Sequence, residues 1–433
     1  MSVELHPNPA RIWKAWRVLC EDIGERRAGT AGERKAAEFI LKSFQEAGLQ
    51  GGHIEDFKCK SLRSVKVTVE IQENNVWRAV ESRALVGAPS TPGGRPVEGD
   101  LVWLALPEDG PRLKPKSLAG KILMLFGPLP TAVELHKKLV AAEPAAVIHI
   151  DERLPFAWAK NDGVFPEWSR KFGVPVTVTV PYTEAWRWRQ SELTRARVAV
   201  HADLVDGVSQ NVVAELPGTH PKAGAIVLGC HHDTQCNNVG ADDNGSGVMS
   251  LLELARLLAP LKLRRTLRFI SFGTEEQLSV GSCAYVKAHR AQLKKIDCVV
   301  NFDSLSSPLG HVELVRAGGA DLEKYALGFL AKRDLYVAPN AQVVPFADHF
   351  CFSVFGIPGL WFWRSNCAGG RWQHHSAHDN LSNVSTTELA RILGPAGELI
   401  ADLADSAKLP FARKLDPAQT KTTKEWAKTL FGL

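Results

Sequence analysis

The chain has no run of about 18 consecutive apolar residues, so its sequence offers no membrane-spanning helix. Its first residues, Met1-Ser2-Val3-Glu4-Leu5-His6-Pro7, have neither the apolar core nor the small-residue cleavage site of a secretory leader. A soluble, cytoplasmic product is the expectation, with export left open for a processed form. No Cys-x-x-Cys occurs among the cysteines at 20, 59, 230, 236, 283, 298, 351 and 367. That argues against thiolate zinc and thioredoxin-like redox chemistry. Such scattered cysteines are expected to be small buried hydrophobes in a reducing compartment. Cys230 and Cys236 could pair if the protein is exported. Gly-x-Ser-x-Gly and His-Glu-x-x-His are both missing, which sets aside a nucleophile elbow and a helix-borne zinc motif. There is no internal repeat and no low-complexity tract. A net charge of +5 over 433 residues is too mild to point to nucleic acid or to a polybasic membrane anchor.

What is present is ordinary globular material, 45% hydrophobic and 23% charged, and long enough for two domains and a large core. Apolar residues recur at helical spacing in 8–50, broken by a turn over 24–32. An alternating strand follows at 65–71. Between 82 and 203 the texture changes to short β runs around a single helix near 131–142, which reads as an inserted small β-rich domain. From 204 to 405 strands at 212–216, 225–229, 267–272, 298–302, 312–315 and 358–362 alternate with helices near 246–259, 280–292, 320–333, 346–354 and 386–404. That alternation predicts an α/β fold, with a mixed central sheet flanked by helices on both faces. The division expected is 1–81 and 204–405 for the catalytic domain, 82–203 for the insertion and 406–433 for a basic tail.

The chemistry concentrates where strands end. Ala225-Ile226-Val227-Leu228 runs into Cys230-His231-His232-Asp233-Thr234, followed by Gly240-Ala241-Asp242-Asp243-Asn244-Gly245-Ser246-Gly247 and a helix. Leu267 to Phe272 runs into Gly273-Thr274-Glu275-Glu276, two adjacent carboxylates that repel unless a cation or a proton intervenes. Cys298 to Phe302 ends at Asp303. Leu360 to Trp363 is followed, after a glycine-rich loop, by His374-His375-Ser376-Ala377-His378-Asp379. In open α/β sheets ligands bind at the carboxyl ends of the strands. Two imidazoles and three carboxylates meeting there suffice for two zinc ions with positions left for water.

In order and spacing these motifs resemble the zinc exopeptidases typified by leucyl aminopeptidase of the bacterial secreted type. Relatives include aminopeptidase Y, glutamate carboxypeptidase II, the transferrin receptor and glutaminyl cyclase. The resemblance covers 205–405 and touches Gly24-Glu25-Arg26-Arg27-Ala28-Gly29-Thr30. Gly120-Lys121-Ile122-Leu123 and Ala145 to Ile148 resemble the protease-associated domain, either a lid over the site or a spacer. The resemblance implies two zinc ions per chain, His231 and Asp303 on one, Glu276 and His375 on the other, and Asp242 bridging both. It implies a cis peptide at Asp242-Asp243, Asp233 fixing the His231 tautomer, and Glu275 as general base toward a metal-bridged water. A peptide substrate follows, and the surrounding acids favour a free α-amine, hence an aminopeptidase. Asp379, Asp348 and His349 look supporting. His232 is expected to point away from the metals. His374 stands where many relatives carry Tyr, and its N–H is a candidate oxyanion donor. Gln277 to Ser282 departs from the family's loop. The rival readings are a carboxypeptidase or dipeptidase with Arg364 as carboxylate clamp, a non-catalytic receptor-like relative, and a glutaminyl cyclase-like acyltransferase. Trp361, Trp363 and Trp372 suggest an apolar subsite or simply core.

Overall fold

The computed structural model describes residues 4–105, 108–127, 129, 132–151, 155–220, 222–364 and 372–433. The expected helix start at 131, Cys367 and most of the glycine-rich loop before His374 lie outside the described residues. The chain forms two compact units, one of 1–61, 206–431 and 433, the other of 62–205 and 432. The strand expected at 65–71 therefore belongs to the second unit, where Val69 and Ile71 join Ile122 and Met124 in the core. The stretch 406–433 is no separate tail: it carries the helix Pro417–Trp426, and Leu430 is buried.

In the first unit the elements are α1 (Pro9–Arg17), α2 (Ala31–Glu46), β1 (Arg195–Leu216, entering this unit at Asp206), β2 (Ala225–His231), α3 (Gly245–Leu258), β3 (Thr266–Phe272) and α4 (Val280–Ala288). They continue with β4 (Ile296–Phe302), β5 (Val312–Ala317), α5 (Ala320–Ala331), β6 (Val337–Asn340), α6 (His349–Ser353), β7 (Gly359–Trp363), α7 (Thr386–Asp405) and α8 (Pro417–Trp426). The strand order is β6-β5-β7-β4-β2-β3-β1. The four central strands β7, β4, β2 and β3 are parallel, while β1 and β5 run antiparallel to β3 and β7. Every residue of β2 is buried, as an unbroken apolar run in a central parallel strand requires. Its alternating side chains feed two cores. Ile226 and Leu228 pack with α1, α2, α3 and α7, whereas Val227 packs with Cys283 to Val286 of α4 and with Phe352 of α6. Burying a side chain such as Leu228 stabilises the fold by about 1.5–3 kcal/mol.

Polar residues set the helix entries. Thr30 accepts from Glu33 N at the start of α2, Asn244 from Gly247 N at the start of α3, and Ser385 from Glu388 N at the start of α7. The cysteines differ from expectation. Cys283 of α4 and Cys351 of α6 form a disulfide, while Cys230 and Cys236 are free thiols, buried and not joined to each other.

The second unit has parallel strands Val97–Ala105, Ile122–Phe126, Ala146–Ile150 and Thr177–Thr179, side by side in that order. Parallel neighbours need crossover connections. The helices Val133–Ala141 and Pro166–Phe172 lie in two of them, and Tyr182–Gln190 follows, in a unit that is richer in strand than in helix among the described residues.

Candidate metal centre and active site

Strand register builds the site. His231, the last residue of β2, lies opposite Phe272, the last of β3, and Asn301 of β4 lies opposite Gly229. The strands are parallel, so His231, the Thr274–Glu276 turn and Asp303 leave the sheet on one edge. His375 and His374 join them there. His231 Nε2 lies 3.1 Å from Asp243 Oδ1, 3.7 Å from Asp303 Oδ1 and 3.9 Å from Glu275 Oε2. His375 Nε2 lies 3.0 Å from Glu276 Oε2 and 3.3 Å from Asp243 Oδ2, and His374 Nε2 lies 2.9 Å from the same Asp243 oxygen. The two imidazoles of 374 and 375 stack at 3.6 Å. Among the described residues, two sets of donor atoms lie close enough to share an ion: His231, Asp243 and Asp303; and Asp243, His374 and His375.

The residue between the histidines is thus Asp243, where Asp242 was expected. Asp242 points elsewhere: its Oδ1 accepts from Ser306 N and Ser306 Oγ, both at 2.7 Å, which ties the loop to the segment after β4. The cis peptide is likewise one residue on, at Asp243-Asn244. Asn244 is engaged by the start of α3 and by Phe302 O, so Asp243 is the carboxylate left facing the imidazoles.

Two buried carboxylates clasp the ligand-bearing turns. Asp233 accepts from Glu275 N at 2.9 Å and Glu276 N at 3.1 Å, and its Oδ1 lies 3.4 Å from His231 Nδ1. Asp379 accepts from Asp242 N at 2.7 Å and Asp243 N at 3.0 Å. The N-terminal segment adds supports that sequence reading missed. Trp16 Nε1 donates to Ala241 O at 2.9 Å. The fully buried Arg26 donates to the carbonyls of Gly24, His232, Val239 and Gly240. A basic residue held mainly by carbonyls leaves no charge pattern in the sequence to announce it.

The supporting positions sort themselves. His232 turns away and contacts Ser271 Oγ through Nδ1 at 3.0 Å; burial pulls its pKa down to about 3. Asp348 and His349 are buried and belong to neither donor set. Arg364 is buried, donates to Glu388 Oε2 at 3.3 Å and is bonded to Gly310 O, so its guanidinium is structural. The rings of Trp361 and Trp363 pack against each other at a tilt of 33°, with centroids 4.2 Å apart.

Electrostatics bear on whether a cation fits. Burial, then the charges of Asp348, Asp303 and Glu276, raise Glu275 well above the carboxylate range, against the pull of His231. Burial also raises Glu276 and Asp303. His231 and His375 are pushed up in spite of burial, by Asp303, Asp233 and Asp243 in the first case and by Glu276 and Asp243 in the second. Glu276 Oε1 is buried without a hydrogen-bond partner. A divalent cation reverses this balance, because it stabilises ionised carboxylates and neutral imidazoles together. The donor set is the nitrogen–oxygen set that zinc accepts.

Parallel strands deliver imidazole and carboxylate to one edge, as the resemblance to the zinc exopeptidases led one to expect. Residues 211–399 match the model of Peptidase family M28. Aminopeptidase YwaD of Bacillus subtilis is 28% identical over 302 residues, covering 67% of this chain and 60% of the relative. Carboxypeptidase Q of Mus musculus is 23% identical over 317 residues, covering 68% and 65%. The match thus spans less than two thirds of either relative's length. Among solved structures, the zinc aminopeptidase BSAP of Bacillus subtilis superposes with a TM-score of 0.74 at 21% identity, over 96% of this chain and 99% of that one. A peptidase M28 precursor from Shewanella amazonensis gives 0.79 at 17%, over 94% and 95%. These two likenesses establish the fold.

Proposed function

We propose that the chain is a zinc-dependent aminopeptidase that holds two zinc ions. The observation that carries this reading is the Asp243 carboxylate, with one oxygen toward His231 and the other toward His374 and His375. His231 and Asp303 would hold one ion, Glu276 and His375 the other, with Asp243 shared. His375 is the ligand in this reading because its Nε2 contacts both Asp243 and Glu276. Bound zinc supplies Lewis-acid polarisation of the scissile carbonyl and activation of water.

The chain's own residues do the rest. Glu275 is the general base. Its Oε1 accepts from Ser279 Oγ at 3.0 Å, leaving Oε2 to take the proton of the attacking water and return it to the leaving amine. Asp233 orients both His231 and the Glu275–Glu276 turn. His374 stands beside Asp243 as donor to the developing oxyanion. The acids Asp243, Glu275, Glu276 and Asp303 favour a cationic α-amine over a carboxylate, and Arg364 is already engaged by Glu388 and Gly310, which weighs against a carboxypeptidase. No described helix is long and apolar enough to cross a membrane. The Cys283–Cys351 disulfide favours maturation in an oxidising compartment over the cytoplasm.

The test is a paired one: zinc per chain, and hydrolysis of an aminoacyl-anilide beside its N-acetylated twin. The reading expects about two zinc ions and cleavage of the free amine alone. Equal cleavage of both substrates would remove the aminopeptidase assignment, and a chain without zinc when purified in the absence of chelator would remove the enzyme.

A further inference from the structure

Glu33 lies in the first turn of α2, far in sequence from every proposed metal ligand and from Glu275, and outside the segment 211–399. It is nonetheless fully buried, and its carboxylate accepts four hydrogen bonds, one of them from Thr274 Oγ1 to Oε1 at 3.5 Å. Oε2 takes Gly29 N at 2.6 Å; Oε1 takes Ser209 Oγ at 2.6 Å and Thr274 N at 3.2 Å. Thr274 opens the turn that presents Glu275 and Glu276, whose own amides are held by Asp233. Three consecutive N–H groups, 274 to 276, are therefore fixed by two buried carboxylates.

The turn needs fixing. Thr274 has φ of 54°, a left-handed conformation that a β-branched residue adopts only when its surroundings impose it. The approach is also specific. A Cβ on Gly273 would meet Ser209 Oγ at 2.3 Å, Gln210 O at 2.6 Å and Glu33 Oε1 at 2.8 Å, so the glycine makes room for the carboxylate to reach Thr274. A capping glutamate would ordinarily bond the amide of the N-cap residue, here Thr30. This one takes Gly29 N with one oxygen and extends the other to the catalytic turn.

We propose that Glu33 is a positioning residue for the general base, holding the Thr274–Glu276 turn so that Glu275 faces the reacting centre. The inference rests on the reading of Glu275 as base. Glutamine at 33 has a single acceptor oxygen. Either Gly29 N or the Ser209–Thr274 pair must then face an NH2 group, and the turn loses one of its anchors. Misplacement of a reacting group by about 1 Å can cost about a hundredfold in rate.

The experiment compares Glu33→Gln, Ser209→Ala and Glu275→Gln with the parent in the full chain. It reads kcat and KM on an aminoacyl-anilide, zinc per chain and the melting temperature. Glu33→Gln is expected to lower kcat by about tenfold to a hundredfold, with KM within about twofold and zinc unchanged. Ser209→Ala, which removes one donor and leaves the carboxylate, is expected to lower kcat by a smaller factor in the same pattern, and it serves if Glu33→Gln does not fold. Parental kcat in both, with Glu275→Gln inactive, would overturn the role of Glu33 and leave the base assignment standing. A fall in kcat matched by loss of zinc would also overturn it, making Glu33 a brace of the metal loop. Full activity in Glu275→Gln would instead remove the reading on which the inference rests.

Discussion

Replacing each aspartate of the Asp242-Asp243 pair by asparagine separates two assignments that adjacent acids make hard to tell apart. Asp243 has Oδ1 3.1 Å from His231 Nε2 and Oδ2 2.9 Å from His374 Nε2 and 3.3 Å from His375 Nε2. An amide in its place has one oxygen, no charge and an NH2 group turned toward imidazoles or ions. Asp243→Asn should therefore lower zinc per chain and reduce kcat/KM by more than the roughly 10–100-fold typical of residues that only orient a ligand. Asp242 is different. Its Oδ1 holds Ser306 N and Ser306 Oγ, and asparagine keeps that oxygen. Two hydrogen bonds to a charged acceptor become neutral, a loss of about 1–2 kcal/mol. Burial, which raises the Asp242 carboxyl to about 6, opposes the charge that is removed, so part of the loss is offset. Asp242→Asn should keep its zinc and most of its activity, with a modest fall in melting temperature. Metal analysis, anilide hydrolysis and a thermal melt on both proteins decide the matter. Zinc lost from Asp242→Asn and kept by Asp243→Asn would refute the placement of Asp243 at the centre.

Further outcomes are expected elsewhere. His374→Ala should lower kcat by about a hundredfold while zinc stays bound; an unchanged kcat would reject His374 as oxyanion donor. The Cys283–Cys351 disulfide closes a loop of 68 residues, for which loss of chain entropy in the unfolded state suggests about 4 kcal/mol. Cys283→Ala should lower the melting temperature, and thiol titration of the denatured chain before and after reduction should differ by two. Hydrogen bonding to Arg391, opposed by burial and helped by Arg364, holds the Glu388 carboxyl below its ordinary pKa. A depressed acid stabilises the fold above its unfolded pKa, about 4.3, and loses that contribution as the pH falls through the lower folded value. Glu388→Gln should destabilise by about 1–3 kcal/mol near neutrality, discounted from a fully buried pair because Glu388 is partly exposed. The difference should vanish in melts at low pH.

The parallel core was legible because long apolar runs punctuated by helical spacing admit few other arrangements. β2, β3, β4 and β7 lie where 225–229, 267–272, 298–302 and 358–362 were expected, within a few residues. Alternation along a strand also placed His231 and His232 on opposite faces, as found. The same rule has no force once the strand has ended. Which of Asp242 and Asp243 faces the imidazoles is decided by Ser306, Asn244 and Asp379, from three separate parts of the chain. Distance in sequence hid the rest. Cys283 and Cys351 meet only because α4 and α6 pack on one face of the sheet. Thr30-x-x-Glu33 is visible as a capping pattern, yet its acid reaches Thr274, a contact that local periodicity cannot encode. Likewise the segment 62–81 looked continuous with the helices before it, and what assigns it to the second unit is the shared core of Val69 and Ile71 with Ile122.

The anchoring of the 232–241 loop by Trp16 and Arg26 bears on how this chain can be cut down. A fragment trimmed to the residues that carry the family signature would keep every proposed ligand. It would discard the indole and the guanidinium that satisfy the carbonyls of His232, Val239, Gly240 and Ala241. Those oxygens would turn to solvent, and the turn bearing Asp243 would drift. Expression trials on such a piece should yield a chain that binds zinc poorly, and adding back a peptide spanning the first two helices is the natural complementation.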